Sequence, residues 1–77
     1  MARIWQLTAI IGREGDDYVS LCPELDVASQ GGSVELARDN LKEALALFLA
    51  TADPAEISTR IREDVFVTRV EIATNSD

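Results

Sequence analysis

The stretch from Tyr18 to Phe48, YVSLCPELDVASQGGSVELARDNLKEALALF, constrains the fold more than any other part of this sequence. An alternating strand pattern over Tyr18–Cys22 leads into a proline-containing turn over Pro23–Asp26. A second short strand pattern follows over Val27–Gln30 and ends at a Gly-Gly pair. The one long helix that the sequence can form comes next. Two short strands and a helix must therefore pack together within this single stretch.

The long helix is predicted to begin after Ser33 and to run to about Ala50. Ser33 is a good N-cap because its hydroxyl can accept a hydrogen bond from a backbone N–H that has no partner inside the helix. Glu35 complements the helix dipole in the first turn. Leu36 and Leu47 lie on a flank, which we expect the later chain or a partner subunit to cover. The apolar stripe that should face the sheet consists of Val34, Ala37, Leu41, Ala44, Leu45 and Phe48.

The remaining segments predict two more strands and a short helix. Arg3–Ile11 alternates between apolar and mixed faces, and Gly12–Asp17 is predicted to turn it into the next strand as a hairpin. Asp53-Pro54 is a typical helix start, with an N-cap followed by proline at the first helical position. Val65–Ala73 alternates again and is predicted as the last strand.

This order of elements predicts an α+β fold in two layers, β-β-β-α-(short α)-β. Three antiparallel strands form a meander, and the long helix covers one face. A right-handed crossover would return the last strand parallel to the first, which gives the sheet order 3-2-1-4. We expect one domain over residues 1–73 and a disordered tail over residues 74–77.

Composition narrows the class of protein. The 77 residues suffice for one small domain of marginal stability, and Cys22, the only cysteine, cannot form an internal disulfide. The net charge of −7 argues against direct nucleic-acid binding and suits a basic protein partner. Because so small a core gives only marginal stability, we expect a homo-oligomer, a dimer in the first place and a tetramer as the alternative. Neither a signal peptide nor a membrane-spanning segment is evident, so we expect a cytoplasmic protein.

The central stretch resembles the HicB-like antitoxin domain. The resemblance rests on an aromatic-led strand at Tyr18, the C-P-E-L turn at Cys22–Leu25, the S-Q-G strand at Ser29–Gly31 and a Ser-capped helix. The family's helix carries the pattern E-A-x-x-N-x-x-E-A. This sequence has a similar pattern in its helix, formed by Glu35, Ala37, Asn40, Glu43 and Ala44. The match covers the middle two-fifths of the chain.

The resemblance implies a fold similar to a trimmed RNase H core and a function in a toxin–antitoxin system. HicB-like proteins bind and neutralise HicA, a small basic mRNA-cleaving toxin, and many carry a carboxy-terminal DNA-binding module. We expect no such module after Ala73, so the resemblance implies protein binding alone. The alternative is a solitary homo-oligomeric domain, structural or regulatory, that has no toxin partner.

The chemistry-bearing residues favour binding over catalysis. Asp16 and Asp17 lie at one end of the second strand and Glu24 and Asp26 at the other, too far apart for a single metal site. Cys22 has no nearby base to lower its pKa, which is typical of a structural thiol. We therefore predict no enzyme activity, no metal and no cofactor. The candidate partner-binding residues are Glu24, Asp26, Leu36 and Leu47.

Overall fold

The computed structural model describes residues 3–75, and it has the predicted α+β architecture. Three antiparallel strands form a sheet in the order β1-β2-β3, and two helices follow. No helix within residues 3–75 is both long enough and apolar enough to cross a membrane. The elements are β1 (Ile10–Glu14), β2 (Asp17–Cys22), β3 (Val27–Gly31), α1 (Val34–Thr51) and α2 (Pro54–Arg60).

The first hairpin is tighter and lies later in the chain than the sequence predicts. Glu14 pairs with Asp17 across a two-residue turn, in which Gly15 adopts a φ of 62°. That is the position where a type II′ hairpin turn requires glycine. The predicted strand over Arg3–Ile11 and the predicted turn over Gly12–Asp17 are therefore both displaced. The strand runs on through Glu14, because Glu14 pairs with Asp17 at the start of β2.

The helix α1 packs on the sheet largely as its pattern predicts. Ser33 caps it, accepting a hydrogen bond of 3.1 Å from the backbone N–H of Leu36. The buried hydroxyl of Ser20 on β2 donates to the carbonyl oxygen of Ala37 at 2.8 Å, which joins the two layers. Val34 is the exception in the predicted stripe, since it is exposed at the first turn. The core is small and consists of Cys22, Leu25, Leu41 and Leu45, with Leu7, Val27, Phe48, Leu49 and Ile61 packed around it.

The short helix α2 is tied to the turn between β2 and β3. Asp53 caps it by accepting the backbone N–H of Ala55 at 2.9 Å. At its other end, Arg60 donates to the carbonyl oxygens of Leu25 at 2.8 Å and Asp26 at 3.2 Å. The backbone N–H of Arg62 then donates to the carbonyl oxygen of Glu24 at 2.8 Å. These contacts fix the point at which the chain leaves the folded body.

Two extended segments at the ends of the described chain lie outside the sheet. We call residues 3–9 the amino-terminal segment and residues 65–73 the carboxyl-terminal arm. The arm does not form the predicted fourth strand, so the sheet has three strands and not the order 3-2-1-4. Residues 74 and 75 have no regular secondary structure, and the rest of the predicted tail lies outside the described residues.

Candidate protein-binding surface

The turn between β2 and β3 holds Glu24 inside the protein. Its side chain is 9% exposed, and both carboxylate oxygens accept the backbone N–H of Thr8, at 3.0 and 3.1 Å. The Thr8 hydroxyl adds a third contact at 2.6 Å. Continuing the β1–β2 register places Thr8 opposite Pro23, which has no N–H to offer and ends the ladder. Glu24 therefore holds the amino-terminal segment where strand pairing stops.

Burial and hydrogen bonding set the charge states of two neighbouring buried groups, the Glu24 carboxyl and the Cys22 thiol. Burial alone would raise the pKa of the Glu24 carboxyl, but the hydrogen bonds from Thr8 outweigh it and bring the pKa below its ordinary value of 4.5. Burial raises the pKa of the Cys22 thiol, and the neighbouring Glu24, which accepts its S–H at 3.4 Å, raises it further. Glu24 is thus held as a carboxylate and Cys22 as a neutral thiol.

Asp26 occupies the exposed tip of the same turn. It adopts a φ of 55°, in the left-handed region that few residues other than glycine adopt without cost. Its backbone carbonyl accepts from Arg60, so its side chain is not needed to hold the turn. The guanidinium of Arg60 also lies 4.9 Å from the centre of the Phe48 ring, which connects the turn to the last part of α1.

The outer flank of α1, consisting of Leu36, Asn40, Glu43 and Leu47, lies on one line along the helix. Leu36 is 53% exposed and Leu47 is 65% exposed, about 16 Å apart along the helix axis. Asn40 lies between them and donates from Nδ2 to the carbonyl oxygen of Gln30 on β3 at 2.8 Å. Asn40 therefore ties α1 to β3.

The surface around this flank is acidic. Within residues 3–75 the only ion pair is Arg38 with Asp39 at 3.1 Å, and both side chains are largely exposed. The remaining exposed carboxylates near the flank, Glu35 and Glu43, have no basic partner among the described residues. The outer flank of α1 therefore combines two exposed leucines with carboxylates that have no ion-pair partner among the described residues.

The four candidate residues do not form one patch. Glu24 is buried and bonded within the chain, whereas Asp26, Leu36 and Leu47 are exposed. Sequence reasoning missed the role of Glu24, because nothing in a turn pattern indicates that Thr8, sixteen residues earlier, would donate to it. Among the described residues no group of three or more metal-ligating side chains comes together.

A second surface was not anticipated. A groove of about 590 Å³ runs between the amino-terminal segment and α1. We call it the amino-terminal groove; its apolar lining includes Trp5, Leu7, Leu41, Leu45, Ala46 and Leu49. The sequence signal that could have predicted this groove is the strand pattern of residues 3–9. A strand that has no neighbour on one side leaves an opening beside the helix.

Comparison of the chain with family models, curated proteins and solved structures finds no match.

Proposed function

We propose that this chain is a non-catalytic antitoxin domain of the HicB-like type, which binds and neutralises a small basic mRNA-cleaving toxin of the HicA type. The observation that carries the proposal is the outer flank of α1. Leu36 and Leu47 are exposed there by 53% and 65%, with Glu43 between them. Exposed leucines at the centre of a binding surface contribute affinity, and a charged rim contributes orientation and association rate.

Charge complementarity selects the class of partner. The chain carries 14 acidic residues against 7 basic ones. In the described part of the chain only Asp39 is neutralised by an ion pair. A basic protein approaching this surface is attracted over several ångströms and gains pairs that the isolated chain lacks. The toxin identity comes from the resemblance of the central stretch, and the surface is consistent with it.

The buried groups support a binding role without catalysis. The Cys22 thiol is fully buried, and its raised pKa keeps it in the unreactive protonated form. The Glu24 carboxylate is occupied by Thr8. Both groups are thus used to hold the turn, and the proposed partner surface draws on Asp26, Leu36 and Leu47 instead.

Co-expression tests the proposal. The protein encoded by the reading frame adjacent to this one is expressed alone and with this chain, and growth is followed. We expect growth arrest by that small basic protein, relief by the unaltered chain, and no relief by a Leu36→Glu/Leu47→Glu variant. Titration calorimetry should show affinity reduced at least about 30-fold in that variant.

Leu21→Glu is the matched control, because Leu21 is an exposed leucine on the sheet face opposite α1. It should relieve the arrest as well as the unaltered chain does. Relief by the Leu36→Glu/Leu47→Glu variant would contradict the assigned surface. An adjacent frame whose product is neither basic nor toxic would contradict the antitoxin role.

The second candidate function is a solitary homo-oligomeric interaction domain in the cytoplasm. The observation that favours it is the carboxyl-terminal arm, in which Phe66, Val70 and Ile72 are 87%, 79% and 75% exposed. In this view the arm becomes the fourth strand of an RNase H-like sheet of order 3-2-1-4 when copies assemble. Uniform dimers or tetramers, together with no toxic product from the adjacent reading frame, would support it.

A further inference from the structure

The carboxyl-terminal arm has no regular secondary structure and no partner among residues 3–75. Within residues 3–75 none of its backbone groups hydrogen-bonds to another part of the chain. Residues alternate in direction along an extended segment, so Phe66, Val70 and Ile72 share one face, which is almost fully exposed. An apolar strand with an open edge binds other strands readily.

The arm projects away from the folded body. The radius of gyration is 15.3 Å, whereas a compact domain of this length has about 11.5 Å. The longest dimension is 56 Å against 28 and 18 Å for the other two. A nine-residue extended segment spans about 30 Å, a length close to the difference between the longest dimension and the next.

The amino-terminal segment also has unpaired backbone groups, which an added strand could pair. Its neighbour on one side stops at Pro23, and residues 3–9 make no backbone-to-backbone hydrogen bond in the described part of the chain. The amino-terminal groove beside it exposes the apolar side chains of Trp5 and Leu7. A strand added along this segment would complete its hydrogen bonds, and its apolar face would close the groove.

The carboxyl-terminal arm leaves the folded body next to the amino-terminal segment. Residues 3–7, Glu24, Ile61 and Glu63 line one small depression, so the arm leaves the body beside the amino-terminal segment. Arg60 and Arg62 fix that exit point through the carbonyl oxygens of the β2–β3 turn. An arm that starts there and projects outward can reach the corresponding groove of a second copy related by a two-fold axis.

We infer that two copies of this chain exchange their carboxyl-terminal arms. The arm of each copy pairs with residues 3–9 of the other, and its Phe66, Val70 and Ile72 face covers the amino-terminal groove of that copy. The exchange is closed, because each copy supplies one arm and one groove and none is left over. It is independent of toxin binding, which the proposed function assigns to the outer flank of α1.

Light scattering on the purified chain alone provides the first test. We expect a dimer at micromolar to millimolar concentrations, and self-association at least about 30-fold weaker in a Phe66→Asp/Val70→Asp variant. Arg69→Asp is the matched control, since it changes the net charge by the same amount from the opposite face of the arm. A monomeric unaltered chain, or a dimer that this double variant leaves intact, overturns the inference.

The groove is tested by Ala46→Glu, at an exposed helical position that lines it. This variant should also be monomeric. Ala50→Glu, at an exposed alanine of α1 that does not line the groove, should remain dimeric. Circular dichroism of each variant establishes that the fold is retained, and equal association of the Ala46→Glu and Ala50→Glu variants contradicts the assigned groove.

A complementation experiment distinguishes exchange from closure within one chain and from pairing of arm with arm. Trp5, the only tryptophan, reports on the groove. The Phe66→Asp/Val70→Asp variant keeps Trp5 and an open groove. An excess of a Trp5→Phe/Ala46→Glu variant supplies intact arms without tryptophan emission of its own, since Trp5 is the only tryptophan. We expect a blue shift of the Trp5 emission on mixing, and an unchanged spectrum at saturating excess overturns the exchange.

Discussion

The Glu24 carboxylate accepts both the backbone N–H and the hydroxyl of Thr8, at 3.0 and 2.6 Å. This contact joins the amino-terminal segment to the β2–β3 turn at the point where Pro23 ends the strand ladder. A carboxylate can accept from several donors at once. Here it accepts the donors of Thr8 at a position where the strand ladder has ended. The position of the amino-terminal groove therefore depends on one buried charge.

Replacing Glu24 with glutamine should lower the free energy of unfolding at pH 7 by about 1.5–3 kcal/mol, the range for hydrogen bonds to a charged group. The dependence on pH should change as well. Because the pKa of Glu24 is lowered on folding, its contribution is present above the ordinary value of 4.5 and is lost as the pH falls through the lower folded value. Urea unfolding from pH 7 to pH 3 measures both effects.

Glu43→Gln is the control for this prediction, since Glu43 is an exposed carboxylate on α1 without a hydrogen bond in the described residues. Its stability curve should parallel that of the unaltered chain. The Glu24→Gln curve should be flatter at acidic pH than either. A curve for Glu24→Gln that runs parallel to the other two would mean that Thr8 does not stabilise the charged form.

The thiol of Cys22 should react slowly in the native protein. It is fully buried, and burial raises its pKa, with Glu24 adding to the effect. Modification by a disulfide reagent at pH 8 should be at least about 100-fold slower than in the urea-unfolded chain, since access requires local opening. Equal rates in the native and unfolded chains would show that the thiol reaches solvent freely.

Gly31 should tolerate no side chain, whereas the adjacent Gly32 should. A Cβ at Gly31 would lie 2.6 Å from the backbone nitrogen of Ala37 and 2.7 Å from the carbonyl carbon of Leu36, so α1 would have to move. We expect Gly31→Ala to destabilise by about 1–3 kcal/mol, as overpacking does. Gly32→Ala meets nothing within 4 Å and should be neutral or stabilising by up to about 1 kcal/mol. Thermal unfolding of the two variants compares them directly.

The backbone conformation at Asp26 should determine which residue types this position tolerates. Its φ of 55° suits glycine and asparagine, and strains a β-branched residue. Asp26→Asn should therefore be close to neutral, and Asp26→Val should destabilise by about 1–2 kcal/mol. Chemical unfolding midpoints measure the difference, and Arg60 should retain its contacts because it binds the backbone carbonyl. Similar midpoints for the Asn and Val variants would contradict a conformational cause.

Local signals in the sequence were sufficient for most of the fold. The Ser33 cap, the Asp53-Pro54 helix start and the proline at the end of β2 each act through neighbouring residues, and all three lie where the pattern predicted. The apolar spacing of α1 also identified Leu41 and Leu45 as buried. These features follow from hydrogen bonding and periodicity within a few residues.

Features that depend on distant residues could not be predicted in the same way. The carboxylate of Glu24 was assigned to a partner surface, but its environment is set by Thr8 and by the burial of Cys22 beneath it. The pattern of the carboxyl-terminal arm predicts a strand, but residues 65–73 form none and leave Phe66, Val70 and Ile72 exposed. Periodicity does not specify which strand it pairs with, or in which chain, so the fourth strand could be placed only by a topological rule.

The sequential order of the sheet has a consequence for synthesis in the cell. The three strands and α1 occupy residues 10–51 without interruption, so their contacts form between near neighbours in sequence and can develop quickly as the chain emerges. The arm follows this body in the chain, so its apolar face is synthesised after the residues that the body needs. Each nascent chain therefore contains its complete core sequence before it carries the adhesive strand that could mispair with that core.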